Sequence, residues 1–190
     1  MKYKVDCIKN YSEEEYKNFY DKIKKEKQNR IKKYINKDAK KRSILGEQLL
    51  IELLKEENIN YKNIEIKTNE NGKPFIKNQK IYYSISHSYD YVISVISNKP
   101  IGIDIEKIRK TSLNTIKKIS KEKKEITSER ELFQIYTLKE AYLKMKGLSL
   151  MDINNVEFKI EKNIICSDSK VIAKLIYDIP GYIIAICEDA

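Results

Sequence analysis

The sequence predicts an α+β fold built from two similar halves. Each half contains one long segment with helical apolar spacing and about three segments with strand-like patterns. Asn98-Lys99-Pro100 is the proline-containing joint nearest the middle of the chain. We therefore divide the chain into residues 1–98 and 99–190. Each half then has a long amphipathic helix that can bury its apolar face against the strands of the same half. We expect pseudo-two-fold packing of these halves, with an active site in the cleft between them.

The composition indicates a folded chain with an anionic partner. Its 190 residues are 41% hydrophobic, which is enough for a core, and 38 basic against 28 acidic side chains give a net charge of +10. This charge fits a nucleic acid, a phosphorylated small molecule, an acidic protein or a membrane surface. No apolar run approaches the roughly 20 residues that cross a bilayer. The first residues do not resemble a signal peptide, so we expect a cytoplasmic chain without a membrane partner.

The first half begins with a predicted strand over residues 2–8. A helix follows over residues 12–27, with Ser12 as N-cap and Glu15 completing a capping box. A second, longer helix over residues 38–58 carries an apolar stripe because its leucines recur at every fourth position. The other predicted elements are a strand over 63–67, a turn over 71–74, and strands over 81–86 and 91–96 that form a hairpin.

The second half repeats this general order without a repeat of individual residues. A strand over residues 101–106 is followed by helical patterns, and the helical patterns are followed by three strands. The helices are predicted over 113–124 and 128–146, and the strands over 156–160, 171–176 and 182–186. The three widely spaced cysteines argue against a zinc site or a disulfide framework and fit a reducing compartment.

Three carboxylates carry the strongest chemical signal. Asp104 and Glu106 are two positions apart on a predicted strand, so their side chains leave the same face. Glu140 lies on a predicted helix one turn before Lys144. A solvated strand face and an ordinary surface salt pair are the simplest readings of these pairs taken singly. If all three carboxylates converge, their oxygen ligands suit Mg²⁺ beside a substrate phosphate.

The single histidine, His87, lies in a polar cluster at a predicted strand end. A lone histidine is more often structural than functional. The flanking serines, Ser86 and Ser88, nevertheless make a set of hydrogen-bond donors that suits a phosphate. A serine hydrolase is excluded because the sequence has no Gly-x-Ser-x-Gly elbow and no acid in a defined relation to His87.

Five motifs in order resemble those of the 4′-phosphopantetheinyl transferases, in the Sfp-like type with two similar halves in one chain. The resemblance covers about residues 27–150. The motifs are Arg42-Ser43-Ile-Leu-Gly46, Gly72-Lys73-Pro74, Ser84-Ile-Ser86-His87-Ser88, Gly102-Ile-Asp104-Ile-Glu106 and Tyr136-Thr-Leu-Lys139-Glu140-Ala-Tyr-Leu-Lys144. Two features depart from the family pattern: Tyr136 stands where Trp is usual, and the segment between Lys144 and Gly147 is short.

The resemblance implies a role for each matching residue. Asp104, Glu106 and Glu140 would be the Mg²⁺ ligands, with Asp104 also contacting coenzyme A. Lys144 would contact the coenzyme A pyrophosphate, and Glu140 and Lys144 would be the catalytic pair. The residues implied for the 3′-phosphate and adenosine end of coenzyme A are Lys27, Arg30, Arg42, Ser43, Lys73, Ser86 and His87.

The implied activity moves phosphopantetheine from coenzyme A to a serine of an apo acyl or peptidyl carrier protein, and releases adenosine 3′,5′-bisphosphate. Such carriers are acidic and serve fatty-acid, polyketide or non-ribosomal peptide synthesis, and a two-half chain would act as a monomer. The competing hypothesis is a basic nucleic-acid-binding module, which would account for the charge and for tyrosines that could stack on bases, such as Tyr82, Tyr83, Tyr89 and Tyr91. It would not account for the three carboxylates, and the sequence contains only four arginines.

Overall fold

A computed structural model of the protein describes residues 1–111, 128–161, 164–167 and 170–190. The described ranges contain four α-helices and ten β-strands. The helices are α1 (Glu13–Lys22), α2 (Lys25–Lys32), α3 (Lys37–Glu56) and α4 (Glu129–Lys146). The fold therefore mixes helices and sheets, as predicted. The helix predicted over residues 113–124 lies outside the described residues.

The strands form two three-stranded antiparallel sheets and two small hairpins. The first half contributes β1 (Lys2–Cys7), β2 (Ile66–Thr68), β3 (Pro74–Ile76), β4 (Tyr82–Ser88) and β5 (Tyr91–Ser97). The second half contributes β6 (Ile101–Lys107), β7 (Phe158–Glu161), β8 (Ile164–Ser167), β9 (Val171–Ile176) and β10 (Tyr182–Asp189). The sheet orders are β1-β5-β4 and β6-β10-β9, and the hairpins are β2-β3 and β7-β8.

The two halves share one topology. In each sheet the last strand of the half lies between the first strand and the middle strand, and all pairs are antiparallel. In each half the long helix follows the first strand, and a two-stranded hairpin follows the helix. The predicted similarity between the halves therefore holds for the order and pairing of their strands.

The hydrophobic core connects the sheets to each other and to both long helices. One cluster, which includes Ile93, Ile103 and Ile184, joins the two sheets. Other clusters lie beneath α3, around residues such as Leu45 and Leu53, and beneath α4. The leucine stripe predicted on the long first-half helix is thus buried against the first sheet.

The termini of the helices follow local rules that the sequence displays. Ser12 Oγ accepts from the backbone N of Glu15, and Glu15 Oε2 accepts from the backbone N of Ser12, so the predicted capping box is present. At the far end of α4, Gly147 adopts the left-handed conformation with φ of 69°. The helix predicted over 12–27 is wrong in length, because Ile23 is extended and buried between α1 and α2.

Two strand predictions also need correction. The strand predicted over 63–67 begins later, at Ile66, because residues 61–63 form a 3₁₀ turn that buries Tyr61. Strand β8 was not predicted, since its short apolar run carries no period-two alternation. The predicted hairpin is present, with Ser88 paired to Tyr91 across a two-residue turn in which Tyr89 has a φ of 51°.

Candidate active site

Asp104 and Glu106 leave the same face of β6, as the alternation of the strand predicts. The isoleucines between and before them point the other way, into the core between the sheets. The Asp104 carboxylate is almost completely buried, whereas the Glu106 side chain keeps 19% of its exposure. The strand therefore places one carboxylate inside the protein and the other near its surface.

Serines of β4 bind this carboxylate face from the other half of the chain. Ser86 Oγ donates to Asp104 Oδ1 at 2.6 Å, and Ser88 Oγ donates to Glu106 Oε2 at 3.0 Å. Ser84 Oγ accepts from the backbone N of Ile103 at 3.2 Å. The cluster Ser86-His87-Ser88 was predicted to bind phosphate, and the role of these serines in joining β4 to β6 was not predicted. The period-two spacing of the three serines was the available signal.

Helix α4 brings Glu140 and Lys144 to the same place. Lys144 Nζ lies 2.6 Å from Asp104 Oδ1 and 2.8 Å from Ser86 Oγ. The close approach of the helix requires Gly102, because a Cβ there would lie 1.9 Å from the carbonyl oxygen of Ala141. The glycine of the Gly-Ile-Asp-Ile-Glu motif thus permits the contact between the helix and the carboxylate strand.

The electrostatics of the cluster show an excess of buried negative charge. Burial and, next, the nearby Asp104 carboxylate raise the pKa of Glu106 and of Glu140 above the usual range. Arg109 partly offsets this effect, with its Nη1 3.0 Å from Glu106 Oε2. Asp104 Oδ2 is buried and, within the described part of the chain, has no hydrogen-bond partner.

Asp104, Glu106 and Glu140 offer carboxylate oxygens, the ligand type that a hard divalent cation prefers. In residues 1–111, 128–161, 164–167 and 170–190, no three His, Cys, Asp or Glu side chains stand close enough to form a ready metal cluster. The unpartnered oxygen of Asp104 and the mutual repulsion of the carboxylates are nevertheless the features that a Mg²⁺ ion would relieve. The Lys144 ammonium also contacts this carboxylate, at Asp104 Oδ1.

A second group of predicted residues surrounds His87. His87 follows Ser86 on β4 and therefore points to the opposite face, where it is exposed. Desolvation and, next, the Arg42 guanidinium lower the pKa of His87, so its ring is neutral at pH 7. Arg42 donates from Nη1 to the carbonyl oxygen of Tyr89 at 3.0 Å. Its Nε is buried and has no hydrogen-bond partner in the described part of the chain.

Lys73 belongs to the turn between β2 and β3. Its ammonium donates to the carbonyl oxygen of Met145, near the end of α4, at 2.8 Å. Burial lowers the pKa of Lys73 to about 8. Lys73 is therefore a cation that loses its charge just above neutral pH.

Lys27 and Arg30 belong to helix α2 of the first half. Lys27 Nζ is 3.0 Å from Glu47 Oε1, and Tyr61 donates its hydroxyl to the other oxygen of Glu47 at 2.7 Å. Arg30 is exposed. Sequence analysis missed Glu47, although an acid inside the apolar stripe of a helix is a recognisable sign of a buried polar contact.

A cavity of about 1280 Å³ lies between the two halves, as predicted for the active site. It is lined by eight of the predicted residues, namely Lys27, Arg30, Arg42, Ser43, Lys73, His87, Glu140 and Lys144. Ser86, Asp104 and Glu106 do not line it. Ser86 and Asp104 both contact Lys144, which does line it. The cavity is thus a basic cleft whose second-half wall includes Glu140 and Lys144.

Comparisons with known proteins cover nearly the whole chain, across both halves. A family described as 4′-phosphopantetheinyl transferase, N-terminal, matches residues 10–99, and the 4′-phosphopantetheinyl transferase superfamily matches residues 100–187. The transferase Sfp of Bacillus subtilis (strain 168) is 30% identical over 93% of this chain and 86% of its own length. The transferase gsp of Aneurinibacillus migulanus is 36% identical over 74% of this chain, a match that spans 62% of that relative.

The cleft, the repeated topology and these matches define a two-half transferase of the phosphopantetheinyl class. The chain belongs to the 4′-phosphopantetheinyl transferase superfamily. The predicted family and fold class are therefore confirmed, and nothing in the comparisons supports a nucleic-acid-binding module. Across the described ranges, none of the helices has both the length and the apolar content of a membrane span.

Proposed function

We propose that this chain transfers the 4′-phosphopantetheine group of coenzyme A to a serine of an apo acyl or peptidyl carrier protein. The observation that carries the proposal is the cleft between the halves, which is basic where it meets the first half and includes Glu140 and Lys144 in its second-half wall. Coenzyme A is an elongated polyanion with phosphates at two separate places. A long cleft with separate cationic groups suits such a ligand.

In the proposed complex the first half binds the 3′-phosphate and adenosine end. Arg42 and Lys73 would supply charge, Ser43 and His87 would supply hydrogen-bond donors, and all four line the cleft. Lys27 and Arg30 lie on the same wall and would add long-range attraction. Ser86 is engaged with Asp104 and Lys144, so it would act by orienting these two groups.

The second half would hold the reacting groups. Asp104, Glu106 and Glu140 are the residues that would bind Mg²⁺, which would supply charge neutralisation at the pyrophosphate oxygens. The carrier serine oxygen forms a bond to the phosphorus that carries pantetheine, and the bond from that phosphorus to the bridging oxygen breaks, releasing adenosine 3′,5′-bisphosphate. Glu140 would accept the serine proton at its carboxylate, and Lys144 would stabilise charge on the departing phosphate.

Three further assignments belong to this proposal. The halves divide between residues 98 and 99, the protein acts as a monomer, and the reaction takes place in the cytoplasm. The free thiols of Cys7 and Cys187 suit the reducing conditions of that compartment. An acidic carrier surface would suit a chain whose net charge is +10.

The test is a transfer assay with purified protein, coenzyme A, Mg²⁺ and a panel of apo carrier proteins, read by intact mass. At least one carrier should gain the mass of phosphopantetheine, and a chelator should prevent the gain. Asp104→Asn keeps the shape of the side chain and removes its charge, so it should abolish transfer and weaken Mg²⁺ binding in calorimetry.

Asp189→Asn provides a matched control for this substitution. Asp189 pairs at 2.7 Å with Lys146, which is on α4 like Lys144, the partner of Asp104. The pair between Asp189 and Lys146 is exposed and does not line the cleft. This variant should retain transfer and Mg²⁺ binding. Failure of every carrier to gain mass with the unaltered protein would overturn the proposed function, and full activity in Asp104→Asn would overturn the metal assignment.

A further inference from the structure

The turn between β2 and β3 holds the C-terminal end of α4 across the boundary between the halves. Asn69 Nδ2 and Asn71 Nδ2 both donate to the carbonyl oxygen of Gly147 at 2.9 Å. Lys73 Nζ donates to the carbonyl oxygen of Met145. The last carbonyls of a helix have no partners within the helix and carry partial negative charge. Side chains of the first half therefore cap a helix of the second half.

Asn69 has a second set of contacts inside its own turn. Its Oδ1 accepts from the backbone N of Asn71 at 3.1 Å and from the backbone N of Lys73 at 2.8 Å. Asparagine side chains commonly fix turns in this way. The Asn69 side chain therefore supports the turn that carries Lys73, beside two backbone hydrogen bonds of that turn, and also ties the turn to the end of α4.

The fit between the turn and the helix is close. Gly147 is left-handed, and a Cβ at this position would lie 2.6 Å from Asn69 Nδ2. Lys144 lies three residues before Gly147 on the same helix end, and Lys73 and Lys144 both line the cleft. The contacts of Asn69 thus fix the position of one cleft ammonium relative to the other.

We propose that Asn69, assisted by Asn71, is a positioning residue for the 3′-phosphate of coenzyme A. It fixes the turn that carries Lys73 to the end of the helix that carries Lys144, so the two ammonium groups of the cleft could contact separate phosphates of the ligand. This inference rests on the proposed function and adds a determinant of nucleotide specificity to it. Lys73 has three ammonium donors, so it turns toward a phosphate oxygen while the two asparagines keep the turn on the helix.

The test compares the unaltered protein with Asn69→Ser in calorimetric titrations with coenzyme A and with 3′-dephospho-coenzyme A. A serine hydroxyl still accepts from the backbone of the turn but does not reach Gly147. The preference for coenzyme A over its dephospho form should fall about tenfold, because a displaced ammonium loses a charge-assisted contact with the 3′-phosphate. In transfer assays the KM for coenzyme A should rise, and kcat should change by less than about twofold.

Asn60→Ser is the matched control. Asn60 Oδ1 accepts from the backbone N of Lys62 at 2.9 Å, in the same kind of turn, but Asn60 does not line the cleft. This variant should keep the full preference for coenzyme A over its dephospho form.

Asn71→Ser is a second test that leaves the backbone contacts of the turn in place. It should lower the preference for coenzyme A by a smaller factor, because Asn69 still reaches Gly147.

The outcomes separate this inference from the proposed function. Equal weakening of both ligands in Asn69→Ser, or an unchanged preference, would show that Asn69 serves stability alone and would overturn the inference while leaving the transferase intact. If Asn69→Ser does not fold, the same criteria apply to Asn71→Ser. An unaltered protein that binds neither ligand would overturn the proposed function, and this inference with it.

Discussion

Lys144 Nζ lies 2.6 Å from Asp104 Oδ1, although the two residues come from a helix and a strand that are forty positions apart. The contact is asymmetric, because the lysine side chain is 30% exposed and the aspartate side chain only 5%. Ser86 of the first half completes the contact by binding both groups. The ammonium is therefore held between the buried carboxylate and the open cleft, where a substrate phosphate would meet it.

Substitution of Lys144 by alanine should lower kcat more than it raises the KM for coenzyme A. The reason is that Lys144 would stabilise charge that grows as the phosphate departs, and only interactions stronger in the transition state accelerate the chemical step. Loss of such a contact typically costs about 10²-fold in kcat. Steady-state transfer kinetics with both substrates varied would measure the two constants.

Lys146→Ala is the control for that measurement, since Lys146 lies two positions further along α4 and pairs with the exposed Asp189. Its kinetic constants should remain close to those of the unaltered protein. A Lys144→Ala enzyme with normal kcat and a raised KM would assign Lys144 to ground-state binding instead.

Arg42→Ala should weaken binding of coenzyme A by about 1.5–3 kcal/mol, the usual value of a hydrogen bond to a charged group. Binding of 3′-dephospho-coenzyme A should change little, because the lost partner is the 3′-phosphate. The neighbouring Lys41 provides the control: it pairs with Glu13 at 2.6 Å and does not line the cleft. Calorimetry of Arg42→Ala and of the control Lys41→Ala, each with both ligands, tests the assignment of Arg42 to the 3′-phosphate. The assignment fails if Arg42→Ala weakens binding of the two ligands equally.

His87→Ala should weaken coenzyme A less than Arg42→Ala does. The lowered pKa of His87 leaves its ring neutral at pH 7, so it offers a hydrogen bond without a full charge. The same two titrations measure this effect. A loss as large as that of Arg42→Ala would mean that the bound phosphate protonates the ring.

The affinity for coenzyme A should decline as the pH rises through the pKa of Lys73. That pKa is lowered to about 8, so the free ammonium is charged at pH 7 and mostly neutral above pH 9. A bound phosphate favours the charged form, so binding should take up a proton in this range. Lys73→Arg keeps its charge at every pH in the range and should flatten the profile. A profile that is identical in the two proteins would exclude Lys73 as its cause.

Gly102→Ala should destabilise the protein by more than about 3 kcal/mol, because the added Cβ would overlap the backbone of α4. The overlapping atoms would be the carbonyl oxygen of Ala141 at 1.9 Å and the backbone N of Met145 at 2.4 Å. Urea unfolding with comparison of midpoints and slopes is the measurement.

Gly181→Ala is the control for this substitution. Gly181 has a φ of 77°, but a Cβ there meets no atom within 4 Å. The control should lose only the cost of a left-handed alanine, about 1–2 kcal/mol. Equal losses in the two variants would show that α4 moves away from β6 without difficulty.

Much of the fold follows from local patterns that the sequence displays. The long helix α3 and its buried leucines follow from their fourfold spacing, and the capping box at Ser12 follows from the type and spacing of two residues. Strand β6 follows from its alternation. These features are determined by contacts between residues that are near each other in the chain, which is why a pattern reveals them.

Features that depend on distant contacts were missed or misplaced. Ile23 breaks the first predicted helix because it is extended and its side chain joins a core cluster that includes Leu45 and Val92, which are distant in sequence. The buried Glu47 and its contacts with Lys27 and Tyr61 were also missed. Their partners lie on separate elements, and no spacing along the chain connects them.

The sequence by itself determined the family, the basic character of the chain and the presence of the three carboxylates Asp104, Glu106 and Glu140 in family motifs. The types and order of residues in short motifs are enough to show these properties. Only the tertiary structure decided that the β4 serines hold β6, that Lys144 contacts Asp104 in preference to the neighbouring Glu140, and that Asn69 joins the Lys73 turn to α4. Each of these contacts crosses the boundary between elements or halves. Their geometry is set by how the sheets and helices pack, and the order of residues does not specify it locally.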